Sequence, residues 1–547
     1  MWPVARPLLG LIVAALTAVG AGCGSIRTRP HAALGLECSD RATADGELAR
    51  GTALEAAGDE GCVEAYYLAC SLAWPALGDP SHGSGCYAAA LERLLRSGLR
   101  FGRFDPARGL VIREGGGTTT VPVVHHGFAW QARDFQRLHP PPNGHESMLT
   151  RRYGCSGVGL PLVVERARNS CDPIEARFLP EKSFFAATAV LRFDAPRAVL
   201  EFHNPVQVHS VLADAGELPL ASDLSAPLAQ TLEEAPRSYF AGFVEPGGAA
   251  TSSRLNFLEP YQPGKVPVVL IHGLFSDPLS WADMVNDLRA APGFAQRYQL
   301  WVFRYPTGQG FLQSAAALRR ELRAALVQLD PGRGDPALRQ LVLVGHSMGG
   351  LIAKLQVTYS DELIWSRVAN RPLDEIVATE PARALLAETC YFDPSPDVAR
   401  VVFIASPHCG SLCSSSLIGK GASLLVEPSA EQAAIHEQLI KGNPHTFNPL
   451  IERRFPTSID MLAQESPLLD AMRQMRLKPG IKLHNILGVS HPVSLDGPSD
   501  GVVSVNSATH PGCRSVLAIN APHAKVHRAA EASAELLRIL GCFEMCP

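Results

Sequence analysis

The residues with the clearest chemical potential lie in Leu341-Val-Leu-Val-Gly-His-Ser-Met-Gly-Gly-Leu351, where Gly345-His346-Ser347-Met348-Gly349 forms a G-x-S-x-G pattern. A serine hydroxyl is a poor nucleophile at neutral pH and becomes a useful one when a neighbouring base takes its proton. The flanking residues supply a setting for such a serine. Leu341 to Val344 reads as a buried strand, and Leu351, Ile352, Leu355 and Val357 begin a helix. A strand-to-helix turn this tight is a nucleophile elbow. Ser347 must take strained dihedrals there, and a Cβ at Gly345 or Gly349 would clash. The hydroxyl is lifted toward the N-terminus of the next helix, whose unpaired N–H groups can stabilise an oxyanion.

The elements that must position this turn follow one another from near Gln262. Val266 to Ile271 reads as a buried strand ending in His272-Gly-Leu-Phe275, and a helix is predicted from about Ser280 to Arg289. A strand at Leu300 to Phe303 and an amphipathic helix from Ser314 to Leu329 lead back to the elbow. Further buried strands are Val401 to Ala405, Leu483 to Gly488 and Ser515 to Ile519, with a last helix from about Ala529 to Leu540. Strands alternating with helices imply an α/β domain with a mostly parallel sheet covered on both faces.

Four stretches carry a family resemblance: Val268-Val-Leu-Ile-His-Gly-Leu, Gly345-His-Ser-Met-Gly-Gly-Leu, Phe403-Ile-Ala-Ser-Pro-His-Cys-Gly-Ser and Ser499-Asp-Gly-Val-Val-Ser-Val. From roughly Leu258 to Gly541 the chain resembles an α/β-hydrolase of the lipase/esterase type. The resemblance implies a triad in the chain order Ser, Asp or Glu, His. Asp500 follows a predicted strand in the turn Pro498-Ser-Asp-Gly501. An Asp beside a Gly commonly makes only an Asx-turn, but its place after the strand favours the catalytic role, with Asp496 as fallback. His523, just after Ile519-Asn-Ala-Pro, stands where family members place their histidine; His527 is the second candidate and is expected to pack or face solvent. The oxyanion donors implied are the backbone N–H groups of Met348 and Leu274. His272 is expected to brace its loop, and His346 to point away from the nucleophile and pack. A lid is expected, if at all, in 359–396 or 412–456; the latter, with Leu417, Ile418, Leu424, Leu425 and Val426, reads equally as cover for an acyl pocket and as core.

The activity implied is hydrolysis of carboxylic esters of lipid-like alcohols or acids, through an acyl-enzyme and without metal or organic cofactor. An acyltransferase using the same triad and a non-catalytic binding protein are the alternatives. A net charge of -4 and the lack of a long basic block give no sign of nucleic-acid binding.

The rest of the 547 residues requires more than one domain. Residues 1–23 look like a bacterial lipoprotein signal: Arg6, the apolar run Leu8 to Val19, then Gly20-Ala21-Gly22 before Cys23, which would carry the lipid. An ordinary secretory signal cleaved nearby is the other reading. Either implies export, and a lipid anchor would hold the protein on a membrane surface. Thirteen cysteines are present, and setting Cys23 aside leaves twelve that would largely pair in an oxidising compartment. Local candidates are Cys155 with Cys171, Cys409 with Cys413 and Cys542 with Cys546. No C-x-x-C pair with matching histidines points to structural zinc. Residues 36–105 read as a helical, cysteine-containing module, with helical spacing at Val63, Tyr66, Tyr67 and Cys70 and at Tyr87, Leu91, Leu94 and Leu95. Residues 109–257 read as a β-rich accessory region, and 258–547 as the hydrolase domain. His125-His126 falls in the β-rich region; neighbours on a strand face opposite ways and cannot easily share one ion.

Overall fold

The computed structural model describes residues 42–77, 84–114, 116–142, 149–194, 197–213, 216–235, 252–411, 430–453, 457–491 and 497–542. Cys23 and its signal, Asp496, Cys38, Cys413, Cys546 and the apolar part of the 412–456 segment lie outside them. Two compact units make up the chain. Residues 27–235, with 289–296, form one, and 236–288 with 297–547 belong to the other.

In the first unit, helices Ala42–Ala56, Cys62–Ala73 and Ser84–Arg100 precede a five-stranded sheet. Its order is Val123–His126, Arg197–His203, Lys182–Asp194, Leu160–Ala167, Arg137–His139. Of the predicted helical stripes, Val63, Tyr66 and Cys70 are buried on one helix, with Tyr67 only half-buried, and Tyr87, Leu91, Leu94 and Leu95 are buried on another. Helix and sheet are joined through Tyr87. Its hydroxyl donates to the Leu191 carbonyl at 2.8 Å and accepts from the Leu191 amide at 2.7 Å. That pairing satisfies the buried Tyr87 hydroxyl as both donor and acceptor.

The expected cysteine pairing is not found among the described residues. Cys155 and Cys171 are both exposed free thiols. Cys155 sits in the short strand Gly154–Cys155, where its thiol turns to the Ser156 carbonyl, and Cys171 lies just before helix Pro173–Phe178. Cys62, Cys70 and Cys390 are buried thiols filling core positions as small apolar side chains.

The second unit is built on seven strands: β1 (Arg254–Phe257), β2 (Val266–Ile271), β3 (Tyr298–Arg304), β4 (Leu341–His346), β5 (Val398–Ile404), β6 (Lys482–Gly488) and β7 (Ser515–Ile519). They lie in the order β1-β3-β2-β4-β5-β6-β7. All neighbours are parallel except β1, which runs antiparallel to β3. The central strands β2, β4 and β5 are buried almost throughout, as strands covered on both faces must be. Helices α1 (Ala282–Ala290), α2 (Phe311–Leu329), α3 (Met348–Lys354) and α4 (Ala530–Leu540) connect or follow them. Strand β1 escapes the sequence pattern, because Arg-Leu-Asn-Phe offers only two apolar residues in alternation.

The chain leaves β2, runs outward to β3, then returns to β4 on the other side of β2. A crevice opens at the carboxyl ends of strands where the direction of winding reverses, and ligands favour that place. The residues expected to be catalytic follow the carboxyl ends of strands on this same edge of the sheet: Leu274 follows β2, Ser347 β4, Asp500 β6 and His523 β7.

Candidate active site

Ser347 stands between β4 and α3 with φ 54° and ψ -124°. A non-glycine residue in that region carries roughly 1–3 kcal/mol of strain, held in place by its surroundings. Those surroundings are unusually close. A Cβ on Gly345 would lie 2.4 Å from the Gly349 carbonyl oxygen, and one on Gly349 would lie 2.2 Å from that of Ile271. Both contacts are to backbone, so only glycine fits at either side of the nucleophile. Gly350 is equally confined, its absent Cβ falling 1.8 Å from the Ser406 hydroxyl.

Asp500 and His523 come from loops after β6 and β7. Asp500 is 2 % exposed, and its two oxygens do different work. Oδ1 accepts from the Val502 and Val503 amides at 2.9 and 2.7 Å, the Asx-turn geometry. Oδ2 lies 2.6 Å from Nδ1 of His523. The turn bonds therefore aim the carboxylate instead of consuming it. Gly488 makes room, since a Cβ there would stand 2.7 Å from the Asp500 Cβ. The amide of His523 also donates to the Asp500 carbonyl at 2.9 Å, so base and acid are tied through backbone as well.

On the other edge of the imidazole, Nε2 of His523 lies 2.9 Å from Oγ of Ser347. With a carboxylate at Nδ1, the proton belongs on Nδ1 and leaves Nε2 free to accept from the serine hydroxyl. The structure thus brings Ser347, His523 and Asp500 into one hydrogen-bonded line.

His527 does not join that line. It is buried in the 3₁₀ turn His523–Arg528, edge-on to Trp281 at 5.1 Å and tilted against His346 at 4.0 Å. Burial, together with the Arg528 charge, pushes its pKa down to about 3. Arg528 donates from Nε to Asp283 Oδ2 at 2.7 Å, fastening the turn to α1.

His346 is buried as expected, but it has a task beyond packing. Its Nε2 donates to the carbonyl of His523 at 3.0 Å, holding the backbone that carries the base. Only the return of the loop after β7 to the end of β4 makes this partner available; no spacing in the sequence signals it.

The loop after β2 meets Ser347 directly. A Cβ on Gly273 would come within 3.0 Å of both the Ser347 Cβ and the His346 ring. The Leu274 backbone follows at once, and Met348 opens α3, where a first-turn amide has no partner within the helix. His272 braces the loop: its ring stacks on Tyr305 at 4.3 Å, and the Tyr305 hydroxyl donates to the His272 carbonyl at 2.6 Å. Burial lowers the His272 pKa to about 4, so it is neutral at physiological pH. Tyr305 as a brace was not foreseen; a lone aromatic after a strand has no distinctive signature.

Of the two segments considered as lids, 359–396 is described throughout. Helix Glu380–Cys390 packs on α2, and Arg319 of α2 donates to the Glu388 carbonyl at 3.0 Å. A cavity of about 660 Å³ lies between these parts, lined by Arg319, Arg323, Phe392 and Asp397 among others. None of Ser347, Asp500 and His523 lines it, so it is separate from the hydrogen-bonded line.

Residues 268–505 match the Alpha/beta hydrolase family. No curated protein matches the chain. Among solved structures, the mature form of the Bacillus licheniformis lipase BlEst2 is similar at 16% identity and a TM-score of 0.32, over 52% of this chain and 97% of that one. The Staphylococcus hyicus lipase is similar at 15% identity and 0.31, over 52% and 95%. A lipase-esterase related protein from Clostridium acetobutylicum gives 11% and 0.29, over 54% and 100%. The C-terminal half has the α/β-hydrolase fold.

Proposed function

We propose that the α/β-hydrolase fold of the C-terminal half carries a serine hydrolase that cleaves carboxylic esters, with Ser347 as nucleophile, His523 as general base and Asp500 as its orienting carboxylate. The observation that supports this most is the continuous chain of contacts, 2.6 Å from Asp500 to His523 and 2.9 Å from His523 to Ser347. Such a chain requires no rearrangement before proton transfer.

In this reading Ser347 Oγ attacks the acyl carbon while its proton passes to Nε2 of His523. Asp500 stabilises the imidazolium that forms and holds the ring in the required tautomer. Charge that builds on the carbonyl oxygen falls toward the amides of Leu274 and Met348. The tetrahedral species collapses, the C–O bond to the alcohol breaks, and His523 returns the proton to the departing oxygen. Water then attacks the acyl-serine with His523 as base, and the acid leaves as Ser347 is regenerated.

The test is labelling of the folded protein with a fluorophosphonate, alongside hydrolysis of p-nitrophenyl esters of graded acyl length. Labelling and ester turnover should both be present in the wild type and absent in Ser347→Ala. A folded wild type that neither labels nor turns over esters would refute the proposal, whereas turnover that goes to an added alcohol in preference to water would make the protein an acyltransferase.

A further inference from the structure

The first unit holds a second cluster of chemistry-bearing side chains that the hydrolase reading leaves unused. Strand Val123–His126 pairs in parallel with Arg197–His203, placing His126 opposite His203 and His125 opposite Phe202. Side chains two apart on a strand share a face. Glu201 therefore stands on the same face as His203 and His126, while His125 goes to the other side, against Phe135 and Phe202 at 4.5 and 5.5 Å. The adjacent histidines do not share an ion, but one of them meets two further donors from the neighbouring strand.

The three groups are close. The rings of His126 and His203 stack with centroids 4.7 Å apart and planes 16° from parallel. Glu201 Oε2 lies 3.1 Å from His203 Nε2, and Oε1 lies 3.9 Å from His126 Nε2. One donor atom from each residue falls within 4.8 Å of the other two. A tetrahedral Zn²⁺ with bonds of about 2.1 Å holds its ligand atoms about 3.4 Å apart. The observed spacing reaches that value with shifts of about an ångström in side chains alone.

Burial argues in the same direction. Glu201 and His203 are 7 % and 6 % exposed, so an ion held between them would be largely withdrawn from solvent. His126 is half-exposed, leaving a path to solvent and room for a water ligand. One group competes: Arg192 donates from Nη2 to Glu201 Oε1 at 2.8 Å. It leaves Oε2 to face His203, while Oε1 is shared between Arg192 and the side of His126.

We propose that His126, Glu201 and His203 bind one divalent transition-metal ion of the Zn²⁺ type, with water completing its coordination. Two imidazoles and one carboxylate suit zinc and its neighbours, not magnesium or calcium, which take oxygen ligands. The ion joins a four-residue edge strand to its neighbour, so binding adds stability to the sheet. The site lies outside the hydrolase unit and is independent of the ester chemistry.

Titration calorimetry of the full-length protein, stripped with chelator and kept reduced, tests this with ZnCl₂ and MgCl₂. Zinc should bind the wild type at one site that Mg²⁺ does not fill, and raise the unfolding temperature by several degrees. Affinity at that site should fall at least about tenfold in His126→Ala and in Glu201→Gln. Arg192→Ala keeps all three ligands and removes a competing cation, so it should bind more tightly. Absence of zinc binding by the wild type, equal affinity in His126→Ala, or no tightening in Arg192→Ala would overturn the proposal. The half-exposed position of His126 makes its variant the one least open to a folding artefact, which circular dichroism checks.

Discussion

At the scale of single residues, the division of labour within Asp500 governs what its substitution should do. Oδ1 serves the turn and Oδ2 serves His523, so Asp500→Asn can keep the turn while removing the charge. The amide would also present a donor toward Nδ1 and favour the wrong tautomer. Ester turnover should fall by about 10⁴-fold in kcat with the unfolding temperature nearly unchanged. Leu274→Ala should cost less than about tenfold, because the donor proposed there is the backbone N–H and survives the change. Steady-state kinetics on one ester measures both. Equal losses in the two variants would mean that the role given to Asp500 is wrong.

At the scale of elements, the elbow is held by backbone contacts that leave no slack. The end of strand β2 presses on Gly349 through the Ile271 carbonyl and the loop after it through that of His272, so a Cβ there must push β2 away from α3. Gly349→Ala should therefore destabilise the unit by about 3 kcal/mol or more and abolish fluorophosphonate labelling. Gly350→Ala meets a side chain instead, the Ser406 hydroxyl and Cβ. Pairing it with Ser406→Gly removes that obstacle and should recover most of the lost stability. Thermal unfolding of the three variants separates a backbone clash from a side-chain one. Similar behaviour of all three would show that the elbow yields more than its contacts suggest.

At the scale of the molecule, the hydrolase unit keeps a set of buried histidines neutral. Burial is the leading cause at each: His272 and His510 are lowered to about 4, His527 to about 3, and His346 and His408 are held well below the usual imidazole value. The unfolded chain takes up these protons near pH 6.5, whereas the folded one resists until far lower pH. Stability is thus complete above pH 6.5 and is lost as pH falls from there toward 4. Each fully resisting histidine contributes about 1.4 kcal/mol per pH unit across that window. Unfolding temperatures at pH 7.5, 5.5 and 4.5 should drop steeply, and His527→Leu should make the fall shallower. A flat profile, or an unchanged slope in the variant, would contradict this account.

Sequence alone was enough for the elbow, since the glycine requirement at 345 and 349 is local: two backbone segments must touch across five residues. It was also enough for the parallel strands, because burial on both faces leaves continuous apolar runs such as Val268 to Ile271. The family resemblance favoured His523 over His527, and Asp500 was favoured by its place after β6; the structure brings both into hydrogen-bond reach of one line with Ser347. What tertiary structure decided were relations with no period and no fixed spacing. The bond from His346 to the His523 carbonyl, the stacking of Tyr305 on His272, and the splitting of Asp500 between turn and base each join segments distant in the chain. The same holds for His126, whose partners Glu201 and His203 are carried to it by a strand about eighty residues later. Alternation along one strand excludes its neighbour His125 from that face, but only strand pairing selects which residues stand opposite.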